Sequence, residues 1–494
     1  MNGHGKSDSP VVLTKPPNKA AAAEVVEGRG LAEGNMDRPT RPGRRAGSGV
    51  PSGLDRVREA ARRDKGARFT ALLHHVDLDL LEAAFRALNP KAATGVDGET
   101  WGTYRQDLEV NLRGLLDRVH GGAYRAKPSR RAYIPKADGR LRPLGIASLE
   151  DKVLQRATVA VLNAIYEEDF LGFSYGFRPG RSPHDALDAL AAGILRRKVN
   201  WVLDADISDF FSRLDRVWMM RFLEHRIADK RVLRLVSKWL SAGVIEDGIW
   251  SDTPEGAPQG ASVSPLLANV YLHYVFDLWV RQWRNRHARG DMIVVRFADD
   301  FIVGFEHHGD AKQFLRELGQ RLTKFGLELH PDKTRLIEFG RFAAERRARR
   351  GVGKPETFNF LGFTHICGSG KDGSFWLRRQ TDSKRMRAKL KQVKDQLRRR
   401  RHLPIPVQGR WLGSVVRGHL AYYAVPGNSR AISGFHRQVG RQWLWALRRR
   451  SQRHRLTWER MERLIGQWLP PARISHPYPE ERFDVRTQGR SPVR

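Results

Sequence analysis

Cysteine is almost absent from this chain: Cys367 is the only one among 494 residues. A single thiol can build neither an internal disulfide framework nor a cysteine-based zinc site such as a zinc knuckle. Acidic residues are scarce as well, 54 Asp and Glu against 88 Lys and Arg, a formal net charge of +34. A compact chain with that excess repels itself unless a polyanion offsets the charge, so nucleic acid is the leading partner and an anionic membrane surface the second. No uninterrupted apolar run approaches the roughly 18 residues of a membrane span. Met1 to Pro10 lack the basic-then-apolar order of a secretory signal. The expectation is an intracellular polyanion-binding protein without a membrane segment, and the length suggests about three domains.

Residues 1–66 are rich in Gly, Pro, Arg and Ala with little apolar periodicity, and read as a disordered basic N-terminal tail. Apolar spacing begins near Phe69. From Tyr124 to Cys367 helical patterns (Leu149–Phe170, Pro183–Arg197, Leu214–Arg226, Ser264–Trp283, Ala311–Phe325) alternate with short β-branched or aromatic runs at Arg131–Pro135, Trp201–Ile207, Met292–Phe305 and Phe358–Thr364. Residues 378–455 then hold 22 Lys or Arg and two acids, Asp382 and Asp395. Apolar residues still recur there at helical spacing, from Trp411 and Leu412 through Leu420 and Tyr423 to Trp443 and Leu447. That pattern predicts folded amphipathic helices with basic outer faces, read as a separate nucleic-acid-binding domain.

Two acidic strands stand out against this background. Ile293–Phe305 is apolar around Asp299 and Asp300, which predicts a β-hairpin with both aspartates at or beside its turn. Trp201–Phe211 carries Asp204 and Asp206, which share a strand face, so periodicity leaves them unseparated. A carboxylate in an apolar strand costs several kcal/mol unless a cation or hydrogen bonds compensate. Two such strands in an acid-poor chain argue for a bound divalent metal, and hard oxygen donors without Cys or clustered His favour Mg²⁺ over zinc. A pair of Mg²⁺ ions suits in-line displacement at phosphorus, with a 3′-hydroxyl activated and pyrophosphate leaving.

Phe297-Ala298-Asp299-Asp300 resembles the Tyr/Phe-Ala-Asp-Asp box of reverse transcriptases, and Asp204-Ala-Asp206-Ile-Ser-Asp-Phe210-Phe211 is similar to their first acidic motif. The resemblance implies an α+β right-hand polymerase fold, fingers and palm on an antiparallel sheet followed by an α-helical thumb/maturase domain. It implies that Asp206, Asp299 and Asp300 are the catalytic, metal-binding triad. Phe211 falls where the family keeps a bulky gate against a ribose 2′-hydroxyl, with Phe210 its rival. Ile134–Ile146 resembles the fingers hairpin, whose Lys136 and Arg142 would face the triphosphate. Ala257–Asn269 resembles the loop-to-helix motif under the nascent base pair, where Gln259 would bond nucleotide or template and Gly260 would permit close backbone approach. Leu329–Thr334 matches a later palm motif in which Lys333 would approach the pyrophosphate, and Phe358–Phe363 resembles the primer-grip strands.

Three further stretches resemble group II intron-encoded reverse transcriptase/maturases of bacteria, of the kind without an HNH endonuclease domain: Thr94–Gly98, Ser174–Ser182 and the basic helical segment. The implied layout is an N-terminal extension at 67–125, fingers and palm at 126–367, a thumb/maturase domain at 378–475 and a short basic tail at 476–494. Arg178 and Arg181, and the run Arg398, Arg399, Arg400 and Arg401, are the expected phosphate contacts. Trp443 and Trp445 are expected to pack rather than stack on bases. The implied partners are the host intron RNA, target DNA with a primer strand, and dNTPs; a second copy on RNA is allowed, and a nucleoid-associated cytoplasmic ribonucleoprotein is implied. Beyond Pro471 one His and no Cys remain, so second-strand cleavage is not expected, and insertion would use nicked or single-stranded sites. A domesticated enzyme, for example in phage defence, and a splicing factor without polymerase activity are the alternatives.

Overall fold

The computed structural model describes residues 53–135, 141–246, 249–251, 260–370, 372–450 and 456–487. In chain order its strands are β1 (Ser129–Pro135), β2 (Leu141–Ile146), β3 (Trp201–Asp206), β4 (Val244–Glu246), β5 (Ile249–Ser251), β6 (Met292–Phe297), β7 (Asp300–Phe305), β8 (Arg335–Glu338), β9 (Phe358–Phe360), β10 (Phe363–Ser369) and β11 (Phe375–Thr381). They form three sheets, ordered β2-β1-β4-β5, β6-β7-β3-β8 and β11-β10-β9. The last two are antiparallel throughout; in the first, β1 runs parallel to β4, so the fingers sheet is mixed.

The central sheet is the palm, and side-chain alternation explains its place. Leu203, Val294, Phe301 and Val303 point into a core shared with the helices Gly53–Arg63 and Leu149–Asp169. Val202, Ile293, Val295 and Ile302, the alternate positions, point into a second core with Phe358, Leu412, Phe435 and Trp443. A sheet apolar on both faces must be covered twice, which is why β6 and β7 read as nearly continuous hydrophobic runs.

The helices follow local signals. Ser148 caps Leu149–Asp169, its hydroxyl accepting from the Asp151 amide. Ser182 and Asp185 make a reciprocal capping box at the start of Pro183–Arg196, with the proline at the first turn where no amide partner is lost. No helix among the described residues is long and apolar enough to cross a membrane.

Three expectations need correction. The basic helical segment is not separate: its apolar face and the back of the palm sheet share one core. Gly53–Arg63, placed in the disordered tail, is a helix; Val57 and Ala61 are buried, and Arg62 pairs with Glu168 of Leu149–Asp169. Its apolar positions are too few to register as periodicity, but one buried face suffices to dock it. Residues 1–52 lie outside the described residues. Likewise the tail from 476 contains the helix Pro479–Thr487, held to Pro183–Arg196 by Arg196 with Asp484 and by Arg482 with Asp188. Asp188 is buried and also accepts from Arg379 of β11 at 2.8 Å, so one carboxylate ties the helix Pro183–Arg196, β11 and the C-terminal helix together.

Candidate active site and nucleic-acid interface

β6 and β7 are joined by Ala298 and Asp299, with Phe297 paired opposite Asp300, the hairpin expected from the sequence. Ala298 has φ +56. Two-residue hairpin turns with positive φ at this place normally use glycine, because a Cβ there crowds the backbone. β7 pairs with β3 so that Asp300 stands opposite Asp206. Register therefore brings the backbone positions of Asp206, Asp299 and Asp300 to one end of the palm sheet. Asp206 and Asp299 are 6% and 4% exposed, and Asp300 is half-buried. Asp204 is set apart: it pairs opposite Ile302, and its carboxylate meets Arg335 of β8 at 3.3 Å. Burial pushes that carboxyl up to about 6, against the pull of Arg335.

Past β3, Ile207 bridges Leu329, and the His330 amide donates to the Asp206 carbonyl at 2.8 Å. These bonds steer the chain into the tight turn Pro331–Lys333, and Lys333 Nζ comes to 2.5 Å from Asp206 Oδ2. Among the described residues no three His, Cys, Asp or Glu side chains are gathered as a ready-made metal cluster. The donor set still fits a divalent cation: hard carboxylate oxygens at adjacent strand ends, buried where a compensating cation is required, with an ammonium supplying that charge to Asp206.

Around this centre, Phe211 is half-buried in the short turn Phe210–Ser212, whereas Phe210 is buried and set edge-on to Tyr271. Arg142 is on β2 opposite Ile134. Lys136 and Gln259 lie outside the described residues. Gly260 has φ +107, and a Cβ there would sit 2.8 Å from the Gly145 carbonyl oxygen, so Gly260 itself lies against β2 at Gly145. In the turn between β9 and β10, Leu361 has φ +46; its carbonyl accepts from Tyr422 Oη at 2.8 Å, and a Cβ on Gly362 would lie 2.9 Å from Tyr423 Oη.

Arg178 does not serve as expected. Its guanidinium is buried, paired in both directions with Glu167, and donates to the carbonyls of Leu171 and Ser174. Arg181 donates to the carbonyls of Gly172 and Ser174 and lies over the Tyr175 ring. Arg178 folds the Ser174–Ser182 loop, because a guanidinium with its donors spent on Glu167 and loop carbonyls has none left for phosphate, and Arg181 ties the same loop through Nη1. Arg398 and Arg399 are exposed; Arg400 and Arg401 are half-buried, with Arg400 over Trp411. Trp443 packs as expected, buried and donating to Gln408 Oε1 at 2.9 Å. Trp445 does not: it is 60% exposed. Arg430, Arg437, Arg441 and Arg449 are exposed on the same helix, Ser429–Arg448 and its cap, which contains no acid. Only folding could show this face, since helical spacing alone cannot say which of two tryptophans one turn-fraction apart is covered.

Residues 134–365 match the family model described as reverse transcriptase (RNA-dependent DNA polymerase). Protein YkfC of Escherichia coli K12 is 34% identical over 313 residues, 55% of this chain and 82% of that protein. The group II intron-encoded protein LtrA of Lactococcus lactis is 32% identical over 238 residues, 48% of this chain and 39% of LtrA. A putative COX1/OXI3 intron 1 protein of Saccharomyces cerevisiae is 25% identical over 306 residues, 52% of this chain and 36% of that protein. The chain thus spans most of one relative and well under half of the two intron proteins. Membership implies an RNA template and, as is typical of the family, divalent metal ions. With the α+β palm, the paired acidic strands and the helical region behind them, the chain belongs to the reverse transcriptase family of RNA-directed DNA polymerases, in its group II intron-encoded branch.

Proposed function

We propose that this protein copies RNA into DNA at the Asp206/Asp299/Asp300 centre and acts as the maturase of a group II intron, binding that intron's RNA, assisting its splicing and reverse-transcribing it from a primer in target DNA. The observation that carries the catalytic part is the register placing Asp206 opposite Asp300, with Asp299 beside it at the turn. Asp206, Asp299 and Asp300 would hold two Mg²⁺, which when bound supply Lewis-acid stabilisation at the reacting phosphate.

The chain's own residues supply the rest. Buried strand ends hold the carboxylates so that little reorganisation is needed on binding. Lys333 stands beside Asp206, where it can release that carboxylate and carry positive charge toward the departing pyrophosphate. Arg142, with Lys136 and Gln259 outside the described residues, would bind the dNTP, and the exposed side of Phe211 would close the space a 2′-hydroxyl needs. The maturase part is supported by the acid-free face around Trp445 and by Arg398–Arg401, which suit phosphate contact with stacking on an unpaired base. In this reading 67–125 is the N-terminal extension, 126–367 fingers and palm, and 378–475 the thumb and maturase region. The working form would be a ribonucleoprotein in the bacterial cytoplasm, at the nucleoid, with dimerisation on RNA permitted.

The test is a pair of assays on D299A/D300A. Incorporation of dNTP on a primed RNA template should disappear, while retention of the intron RNA on a filter is unchanged. Continued incorporation would refute the assignment of the centre; loss of both in folded protein would refute the separation of the two functions.

A further inference from the structure

Behind the catalytic turn lies an ion pair that none of the chemistry above uses. Arg296 of β6 and Asp277 are both wholly buried. Arg296 Nε and Nη2 donate to the two Asp277 oxygens at 2.7 and 2.6 Å. Nη2 also donates to Ser174 Oγ at 2.7 Å, and Nη1 donates to Asn269 Oδ1 at 3.1 Å and to the Ala298 carbonyl at 3.0 Å. All five donors of the guanidinium are used. Four of the bonds anchor it to Asp277, Ser174 and Asn269, and the fifth grips the residue before Asp299.

The anchors come from parts of the chain whose roles were otherwise open. Asp277 ends the π-helical turn His273–Asp277, set between the helices Ser264–Leu272 and Leu278–His287. Such bulges recur at functional sites because the extra residue redirects a side chain. Ser174 belongs to the loop that Arg178 holds together, and the chain there is hydrogen-bonded to β6 at Arg296 itself: the Arg296 amide donates to Phe173 O, and the Tyr175 amide donates to Arg296 O, both at 2.8 Å. Asn269 donates in turn to the Gly176 carbonyl at 2.8 Å.

We propose that Arg296 is a positioning residue for the catalytic carboxylates: anchored by Asp277, it holds the Ala298 carbonyl and so keeps this non-glycine residue at φ +56, which sets where Asp299 and Asp300 point. This rests on the polymerase reading of the site. Ala298 would otherwise leave the left-handed region, and rotating that peptide swings the Asp299 side chain out of line with Asp206. A lysine at 296 keeps the charge against Asp277, but its single nitrogen cannot reach Asp277, Ser174, Asn269 and the Ala298 carbonyl together.

The experiment compares wild type, R296K, A298G and R296K/A298G in single-turnover dNTP incorporation, with near-UV circular dichroism to certify folding and Mn²⁺ binding followed by the EPR signal of the free ion. R296K should lose at least tenfold in kcat with KM for dNTP changed less than threefold, and bind Mn²⁺ at least fivefold more weakly. Glycine accepts φ +56 without strain, so R296K/A298G should recover at least threefold over R296K, a rescue that a purely packing role for Arg296 does not provide. The proposal is overturned if folded R296K matches wild type within twofold in kcat and Mn²⁺ affinity, or if the double variant is no better than R296K. Should R296K not fold, the apolar pair R296L/D277L removes both buried charges together; a folded R296L/D277L with wild-type kcat equally overturns it, and one at least tenfold slower supports it. Failure of wild type itself to incorporate dNTP would strike the polymerase reading, a distinguishable result.

Discussion

Gly176 offers the sharpest test of how the catalytic turn is supported. A Cβ at this position would lie 2.3 Å from the Ala298 nitrogen, 2.9 Å from the Phe297 carbonyl carbon and 3.1 Å from Ala298 Cα. All three are backbone atoms of the turn that carries Asp299, so no flexible side chain can yield. Gly176 does not have a positive φ, and the effect of alanine there is therefore one of space alone. Reaching ordinary contact requires the turn or the loop to move by about 1 Å, and a misplacement of that size near the reacting atoms is worth roughly 100-fold in rate. Overpacking adds a stability cost of about 1–3 kcal/mol, which at about 2–4 °C per kcal/mol for a unit of this size lowers Tm by roughly 2–12 °C. Primer extension under single-turnover conditions and thermal unfolding of G176A measure the two effects. Gly180 in the same loop supplies the control: φ is +71, but nothing lies within 4 Å of its Cβ. G180A should cost about 1–2 kcal/mol from the left-handed backbone and leave kcat within about twofold, since nothing displaces the turn. A G176A enzyme with wild-type kcat, or a G180A enzyme losing as much, would refute the argument.

Three other outcomes follow from the same geometry. F211A should raise ribonucleotide incorporation relative to dNTP by at least about tenfold, whereas F210A, in the core, should cost about 3–5 kcal/mol of stability without changing sugar selectivity; equal selectivity in F211A and wild type removes the gate. W445A should weaken binding to unpaired RNA by about 1–3 kcal/mol with an unchanged salt slope, while R441Q should reduce that slope by about 0.7–0.9; a tryptophan variant that alters the slope and not the affinity contradicts the stacking role. His365 is fully buried with its ring stacked on Phe358, and burial lowers its pKa to about 3. Unfolded histidine takes its proton near 6.5 and the folded one does not, so the native state loses up to about 1.4 kcal/mol per pH unit below that value. The urea midpoint of H365L should therefore fall less than that of wild type between pH 7 and pH 5, and parallel profiles would rule this out.

Much of the fold was legible because it rests on short-range signals. The helical pattern over Pro183–Arg197 matches the helix Pro183–Arg196, whose start the structure fixes with the Ser182/Asp185 capping box, and the apolar run from Ile293 to Phe305 around two aspartates announces a hairpin, since strand pairing across a two-residue turn needs little else. The resemblance implied that Lys333 approaches the pyrophosphate; what the β3 extension shows is Lys333 set against Asp206. Exposure was not legible. Trp443 and Trp445 look alike in a basic helix, and only the core behind the palm decides which of them is covered.

Arg178 and Arg296 mark the limit most clearly. In an arginine-rich chain any one guanidinium reads as surface charge, and nothing in the order of residues says that Glu167 will consume one and Asp277, by way of a π-helical turn, the other. Local pattern settled the acidic strands and most element boundaries, because those depend on spacing along the chain, while composition ranked nucleic acid ahead of a membrane surface as partner. Which charges stay exposed and which are spent on buried partners depended on long-range register and burial, where a buried cation must find its acceptors wherever the fold brings them.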